Sequence, residues 1–369
     1  MPRSNERSLI AEIKPSLFAF DTEEINAETP APLLDDDITP VALLFVRNTG
    51  RLPVISSGDI ARWRLRIEGM VDRPRFWSVE DLQSEFTTVT QRAVLECAGN
   101  GRAHFSEPTS EPPWRQGAVG CVSWTGVRLA DLLDACGLQA GAVYTAHHAP
   151  DANSAGTGPA ISRGLPIAKA LAPETLIAWA INGEPLPHLH GGPLRVVAPG
   201  FPGSAWQKWL TRIDIRDREH DGERMTGLHY RMPRRPVRPG EPIDPALFDV
   251  ITDMPVRSII TAPGDGFASA ANEPLTIRGH AWSGHVPVER VDVSLDGGGV
   301  WQAAPLAPEI ERFAWRRFEF RVPAPQPGPI EILARATDAQ GRSQPLVSAP
   351  WNPRGYCNNA MHRIRGMVG

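Results

Sequence analysis

The sequence predicts an α+β chain in two unequal parts. A mixed α/β domain spans 1–253, opened by an extended arm over 1–40, and a small antiparallel β-sandwich fills 254–369. Three observations carry this. The 369 residues suit two domains at ~150 residues each. Strand-like and helix-like patterns alternate up to a Pro-rich linker at 232–255. Beyond it only short alternating segments follow, regularly spaced and without a helical stretch, which is the mark of a sandwich.

Taken in order, residues 1–40 are polar and Pro-rich and are expected to wrap a surface rather than form a core. Residues 41–46 read as a short strand. Residues 63–70 alternate like another and end at Gly69 and the turn residues Asp72 and Pro74. Ser78 suits the N-cap of a helix through Phe86, with Glu80 and Asp81 in the first turn. Residues 89–97 form a strand candidate that runs straight into Ala98-Gly99-Asn100-Gly101. Val127, Leu129, Leu132 and Leu133 follow a helical period that stops at Gly137, and 166–171 predicts one more short helix. In the second part, strands are expected at 256–261, 274–278, 288–295, 313–322 and 330–337, with Asp296-Gly297-Gly298-Gly299 as a hairpin turn.

Composition narrows the function. Lys plus Arg is 38 against 42 Asp plus Glu, a formal charge of -4, which speaks against a basic nucleic-acid binder and an acidic disordered chain. No apolar run approaches the ~20 residues of a spanning helix. The 37 Pro and 33 Gly, beside 11 Trp, read as a loop-rich and strand-rich globular protein. Cys97, Cys121, Cys136 and Cys357 do not make a disulfide framework, and neither CxxC, CxxCH nor a zinc-ligand spacing occurs. The first residues, MPRSNERSLIAEIKPSLF, show no twin arginine and no apolar leader, so a reduced cytoplasmic setting is expected.

Two segments carry candidate chemistry. In VLECAGNGR, 94–102, a cysteine ends a strand and meets a Gly-rich turn, so its sulfur faces exposed backbone N–H groups, and Arg102 stands five residues on to stabilise a thiolate. A thiolate is a soft metal ligand. Against this stands the ordinary fate of a cysteine, a small buried hydrophobe. In the segment 188–209, close glycines let the backbone approach a ligand while His190, Arg195 and Lys208 supply donors and positive charge, a combination suited to phosphate or another anion. Only three lysines occur, at 14, 169 and 208. The segment is neither a Walker loop nor a GxGxxG fingerprint. Arg47 follows an apolar strand and points to a cleft or to solvent. His147 and His148 are neighbours on a strand, face opposite ways, and make a poor metal pair.

LFVRN at 44–48, LECAGNGR at 95–102, HGGPLRVVAPG at 190–200, QKWL at 207–210 and WNPRGYCNNAMHR at 351–363 occur in one order. In that order they resemble the sulfite oxidase family of molybdopterin oxidoreductases, and the resemblance runs from NAETP at 26–30 to the tail. It implies a molybdopterin-binding α/β domain followed by an immunoglobulin-like dimerisation domain, with a tail that returns to the active site. It implies Mo-molybdopterin as cofactor, with Cys97 as the metal ligand. Arg47, Arg102, Arg354, Trp114 and Tyr230 then line an oxyanion pocket. Asn48, Thr49, His190, Arg195, Ser204 and Lys208 contact the pterin and its phosphate, with Arg163 contributing. Three positions depart from the family pattern: Thr49 replaces a pterin-contacting histidine, Gly101 an arginine, and His229 an acidic residue before Tyr230.

The implied reaction is molybdenum-dependent oxidation of sulfite, or of a related small sulfur oxyanion, to sulfate. Guanidinium groups suit such an anion because they bind it bidentately. No CxxCH haem motif occurs, so electrons are expected to pass to an external acceptor, a cytochrome or oxygen. A homodimer without a nucleic-acid or membrane partner is implied. Two rivals stand: reduction of an S- or N-oxide or of nitrate at the same centre, and a non-catalytic binding module with Cys97 buried.

Overall fold

The computed structural model describes residues 10–109 and 111–369. Of the N-terminal arm, residues 1–9 lie outside the described residues. The chain is a mixed α/β domain followed by a β-sandwich. Among the described residues no helix is long and apolar enough to cross a membrane.

Two larger sheets build the first domain, beside a three-stranded one of Phe18–Ala19, Asn26–Glu28 and Val46–Arg47 and a two-stranded one of Arg231–Pro233 and Phe248–Val250. In one, Glu184–Pro185, Leu176–Ile181, Val119–Arg128 and Val89–Glu96 lie side by side, and Arg195–Val197 pairs along Leu176–Ile181. Every pairing is antiparallel. Val119–Arg128 is buried along most of its length, as a strand covered on both faces must be. The other sheet runs Arg75–Trp77, Leu65–Gly69, Arg212–Arg216, Tyr144–His148, with a parallel pairing between Leu65–Gly69 and Arg212–Arg216. Here the period of two is clean: Leu65, Ile67, Ile213 and Ile215 turn inward.

Helices are short and cap-defined. Ser78 accepts from the Asp81 N–H while the Asp81 carboxylate accepts from the Ser78 N–H, so Val79–Glu85 starts where the sequence placed it. Leu129–Cys136 ends at Gly137, whose φ of 73° only glycine adopts freely. Leu129, Leu132 and Leu133 are fully buried and join Trp77, Trp124 and Ile213 in the main core.

The strand expected at 41–46 is mostly a turn. The Leu43 and Leu44 N–H groups both donate to the Pro40 carbonyl, at 2.8 and 3.0 Å, so the apolar run folds back and only Val46–Arg47 pairs as a strand. Its apolar residues are core nonetheless, with Leu44 and Val46 at 0 and 1% exposure.

The sandwich packs a three-stranded sheet, Arg257–Ala262, Leu275–Trp282 and Arg316–Val322, on a five-stranded one. The second sheet runs Phe267–Ser269, His362–Val368, Gly328–Asp338, Val288–Ser294, Gln302–Ala304. Ile260, Ile277 and Phe318 meet Val291, Ile332, Ala334 and Ile364 between them. Three of these strands escape the sequence reading. Phe267–Ser269 and Gln302–Ala304 have three residues each, too few for a pattern, and His362–Val368 follows the polar tail.

The two parts are joined by polar contacts. Asp35, from the arm, meets Arg278 at 2.9 Å and Arg317 at 3.4 Å on the sandwich. Arg257 donates to the Asn100 carbonyl at 2.8 Å and to Gln116 Oε1 at 2.7 Å. Trp282 Nε1 donates to Glu96 Oε2 at 2.8 Å.

Buried histidines make stability depend on pH. Burial lowers His147 to about 3, and His220 and His280 to about 4. The unfolded chain takes up protons near pH 6.5 while the folded chain resists, so their stabilisation is complete above 6.5 and falls away as pH drops. His362, also lowered to about 4, adds to them, while the buried carboxyls Asp151, lifted to about 6, Glu28 and Glu96 act in the opposite sense and offset part of the effect. Thermal melts between pH 6.5 and 5 are therefore expected to lose stability of order 2 kcal/mol. A midpoint flat over that interval would contradict this.

Candidate active site

Cys97 follows the last residue of the Val89–Glu96 strand, and its N–H still donates to the Ala118 carbonyl at 2.9 Å. The neighbouring Asn100 closes the turn: its N–H donates to Cys97 O at 2.9 Å and its Nδ2 to Glu96 Oε1 at 2.9 Å. Gly101 then takes φ 84°, and a Cβ there would stand 2.3 Å from the Asn358 carbonyl of the tail. The glycine that departs from the family pattern is thus the one that lets the tail lie against the turn.

The turn opens on a cavity that communicates with solvent. Arg47, Asn48, Thr49, Cys97, His190, Arg195, Ser204, Lys208 and Tyr230 line it together, so nine of the sequence candidates converge from segments far apart in the chain. Gln207, Asp151 and Arg51 line it too and were not anticipated. Gln207 lies inside QKWL, directly before Lys208.

Lys208 is held rather than free. Its Nζ donates to Asn48 Oδ1, to the Arg47 carbonyl at 3.2 Å and to the Leu189 carbonyl at 3.3 Å. Arg195 donates to the His190 and Trp206 carbonyls at 2.8 and 3.0 Å and lies over the Trp124 ring at 4.9 Å. Burial brings Lys208 down to about 7 and Arg195 to about 9, and holds His190 well below the usual imidazole value, so His190 is neutral. Five buried polar atoms on this cavity, Asn48 Nδ2, Asp151 Oδ1, His190 Nε2, Ser204 Oγ and Gln207 Oε1, have no hydrogen-bond partner among the described residues.

The other arginines gather behind Arg47. Arg102 is buried, donates to the Arg354 carbonyl at 2.9 Å and to the Pro112 carbonyl at 2.7 Å, and lies over the Tyr356 ring at 5.6 Å. Arg354 puts Nη1 2.7 Å from Glu111 Oε1 and Nη2 2.9 Å from His229 Nε2. Glu111 Oε2 is 3.8 Å from Arg47 Nη2. Thus Glu111, which sequence reading passed over, links two of the three arginines, and His229 gains a role as the partner of Arg354. Tyr230 is stacked on Tyr356 at 5.2 Å and keeps φ 52°, a conformation few non-glycine residues take.

Arg102 and Arg354 thus stand behind the cavity wall rather than on it, and two further candidates, Trp114 and Arg163, also sit back from it. Trp114 is fully buried edge-to-face on Phe20 and Phe45, at 5.0 and 6.2 Å, and only Phe45 reaches the cavity wall. Arg163 donates to the Arg224 carbonyl at 2.9 Å and lies 4.9 Å over the Tyr230 ring, supporting that residue from behind. His147 and His148 lie in the Tyr144–His148 strand, the first buried and the second bonded to Asp214 at 3.0 Å. Burial pushes the Cys97 thiol up, against the pull of Arg102 and Arg47, so the arginines alone do not yield a thiolate. Metal coordination would deprotonate it outright.

Residues 50–224 match the family described as "Oxidoreductase molybdopterin binding domain", and residues 248–368 match "Mo-co oxidoreductase dimerisation domain". Fold and site thus define a molybdopterin-dependent oxidoreductase. The chain is 36% identical over 371 residues to the mitochondrial sulfite oxidase of Homo sapiens, covering 96% of this chain and 66% of that protein. It therefore spans about two thirds of that relative's length. It is 31% identical over 380 residues to the sulfite oxidase of Arabidopsis thaliana, covering 96% of this chain and 95% of that one. Among solved structures it is similar to the sulfane dehydrogenase SoxCD from Paracoccus pantotrophus, with a TM-score of 0.79 and 28% identity over 96% of this chain and 88% of that chain. The chain belongs to the sulfite oxidase family of molybdopterin oxidoreductases, and its cofactor is Mo-molybdopterin.

The cavity fits that group. A pterin with a phosphate needs hydrogen-bond partners for its ring and cations for its charge, and the cavity offers five orphaned polar atoms, Lys208 and Arg195. The soft sulfur of Cys97 suits the metal. Because the pterin contacts are distinct from the sulfur, the two functions separate. Lys208→Ala is expected to lower the pterin content of the purified protein about tenfold, read as fluorescence of the extracted cofactor. Cys97→Ser is expected to keep its pterin and lose turnover. Loss of pterin from Cys97→Ser with none from Lys208→Ala would reverse the assignment.

Proposed function

We propose that this enzyme oxidises a small sulfur oxyanion, sulfite in the first place, to sulfate and passes the electrons to an external acceptor. The observation that carries the reading is that Arg47, on the wall of the Cys97 cavity, is joined to Arg354 and Arg102 behind it through Glu111 and the Arg354 carbonyl. Three guanidinium groups beside a soft-metal ligand suit a small anion more than a neutral oxide. The sulfite oxidases of human and Arabidopsis, which match nearly the whole chain, support the same choice.

The balance is sulfite plus water to sulfate, two protons and two electrons. The molybdenum cofactor, when bound, supplies the two-electron acceptor and the oxygen transfer. The protein holds the anion and sets the field around it. Arg47 faces the cavity directly, and Arg102 and Arg354 add positive charge from behind it. Tyr230 is fixed on the cavity wall by the stacked Tyr356 and by Arg163, and its phenol offers a neutral hydroxyl donor there. Buried aromatic and aliphatic walls, Phe45, Leu95 and Trp206, keep the site poor in water and strengthen each of these contacts.

A sulfite-dependent dye-reduction assay on molybdenum-loaded protein is expected to show turnover, and Arg102→Ala to lower kcat/KM by about 100-fold, the effect of removing one buried donor of transition-state charge. Unaffected turnover in Arg102→Ala would overturn the pocket assignment. Reduced dye consumed with nitrate or an S-oxide, and no reduction with sulfite, would favour the reductase reading.

We further infer that the chain works as a homodimer through the sandwich, whose residues 248–368 match a dimerisation domain. Light scattering at micromolar concentration is expected to give twice the chain mass. A monomer there would count against it.

A further inference from the structure

Glu111 is an unusual group for a pocket that binds anions. Its side chain is 14% exposed, and its two oxygens lie 2.7 Å from Arg354 Nη1 and 3.8 Å from Arg47 Nη2. Arg354 has its other amine on His229, so neither end of its fork is free in this arrangement. Arg102 is drawn to the same place through the carbonyl of Pro112, the residue after Glu111. Three guanidinium groups packed this closely repel one another, and the carboxylate is the negative charge that offsets them.

The carboxylate is held on a loose support. Residues 105–109 and 111–117 have no helix or strand, and among the described residues the Glu111 N–H meets Thr109 Oγ1 at 3.4 Å. Movement of this side chain breaks no sheet ladder. Burial raises the Glu111 carboxyl, but Arg47, Arg102, Arg354 and Arg224 together outweigh it and hold the group below the ordinary carboxylate range, so it is charged at neutral pH.

We propose that Glu111 is a resident anion of the oxyanion pocket: its carboxylate occupies Arg354 and Arg47 in the free enzyme, competes with the incoming oxyanion and sets the affinity for it. The inference rests on the oxyanion reading of the arginine pocket given above. Two like charges cannot share one pair of guanidinium groups, so the substrate anion enters only as the carboxylate leaves. Glu111 is then a specificity-determining residue. It penalises weakly bound anions that fail to displace it and admits one able to engage several arginines at once. A purely structural role, holding Arg354 in position, predicts the opposite effect of its removal, because a misplaced arginine binds an anion less well.

The test is the binding of inorganic sulfate, the proposed product, to purified molybdenum-loaded protein, measured by titration calorimetry at fixed ionic strength. Glu111→Gln keeps shape and hydrogen-bonding capacity and loses the charge. It is expected to bind sulfate about tenfold more tightly than the parent. Glu111→Asp keeps the charge but withdraws it by one methylene, is expected to tighten sulfate about threefold, and carries the test should Glu111→Gln fail to fold. Unchanged or weaker sulfate binding in the variants, with the parent binding normally, overturns the proposal and leaves the oxyanion reading intact. No sulfate binding by parent or variants at millimolar concentration overturns both. Tighter sulfate in the variants together with absence of sulfite turnover in the parent supports the resident anion and overturns sulfite as substrate.

Discussion

The carboxylate of Glu96 is 2% exposed, stands one residue before the proposed metal ligand, and faces a guanidinium from the other domain. Arg257 Nε is 3.3 Å away and fully buried, Trp282 Nε1 donates to the same carboxylate at 2.8 Å, and Asn100 Nδ2 donates at 2.9 Å. Burial raises the Glu96 carboxyl and Arg257 opposes that shift. A buried pair of this kind adds little net stability, but loss of one partner leaves an uncompensated charge, at about 3–5 kcal/mol. Its value here is positional. Arg257 also reaches the Asn100 carbonyl and Gln116, so one guanidinium holds the strand end, the glycine turn and the segment after Trp114 in register. The remaining features of the site are built around that fixed point.

The pocket is a study in charges held at a deficit. Lys208, Arg195 and His190 all sit below their ordinary values because the cavity buries them, and two of them draw on neutral carbonyls in place of anions. Such groups are poorly compensated until an anionic ligand arrives, and the favourable energy of that arrival is what their burial prepares. The arginine cluster has the same problem and a different solution, since it carries Glu111 as a counter-charge of its own.

The division of labour between local and distant information explains what could be read without coordinates. Capped helices were legible because Ser78, Asp81 and Gly137 fix their ends by contacts within a few residues. The run at 41–46 misled because Pro40 turns the chain, and burial by other elements imitates the apolar signature of a strand. In the cavity, Cys97, Arg47, His190, Arg195 and Lys208 stood out through glycine-rich or charged surroundings. Glu111 and Gln207 did not, since their importance lies in what faces them from segments far off in sequence. Trp114 and Arg163 lie one layer behind the cavity wall, because adjacency in sequence to a turn does not decide which layer a side chain occupies. The departures Gly101 and His229 became intelligible only once the tail was in place, one giving room to Asn358 and the other holding Arg354.

That tail has a consequence for how the enzyme is made. Arg102 and the carbonyl it holds on Arg354 are 252 residues apart in the chain, and the tail is pinned beyond that point by His362–Val368 in the outer sheet of the sandwich. During synthesis the cysteine turn and its strands emerge first and wait without their third arginine, while the ribosome still holds the segment that supplies it. The substrate-binding half of the site is therefore assembled after release of this region. The pterin-binding residues are all present by position 208. The side of the site that faces the cofactor is therefore complete in the chain well before the side that faces the anion, which closes only with the tail.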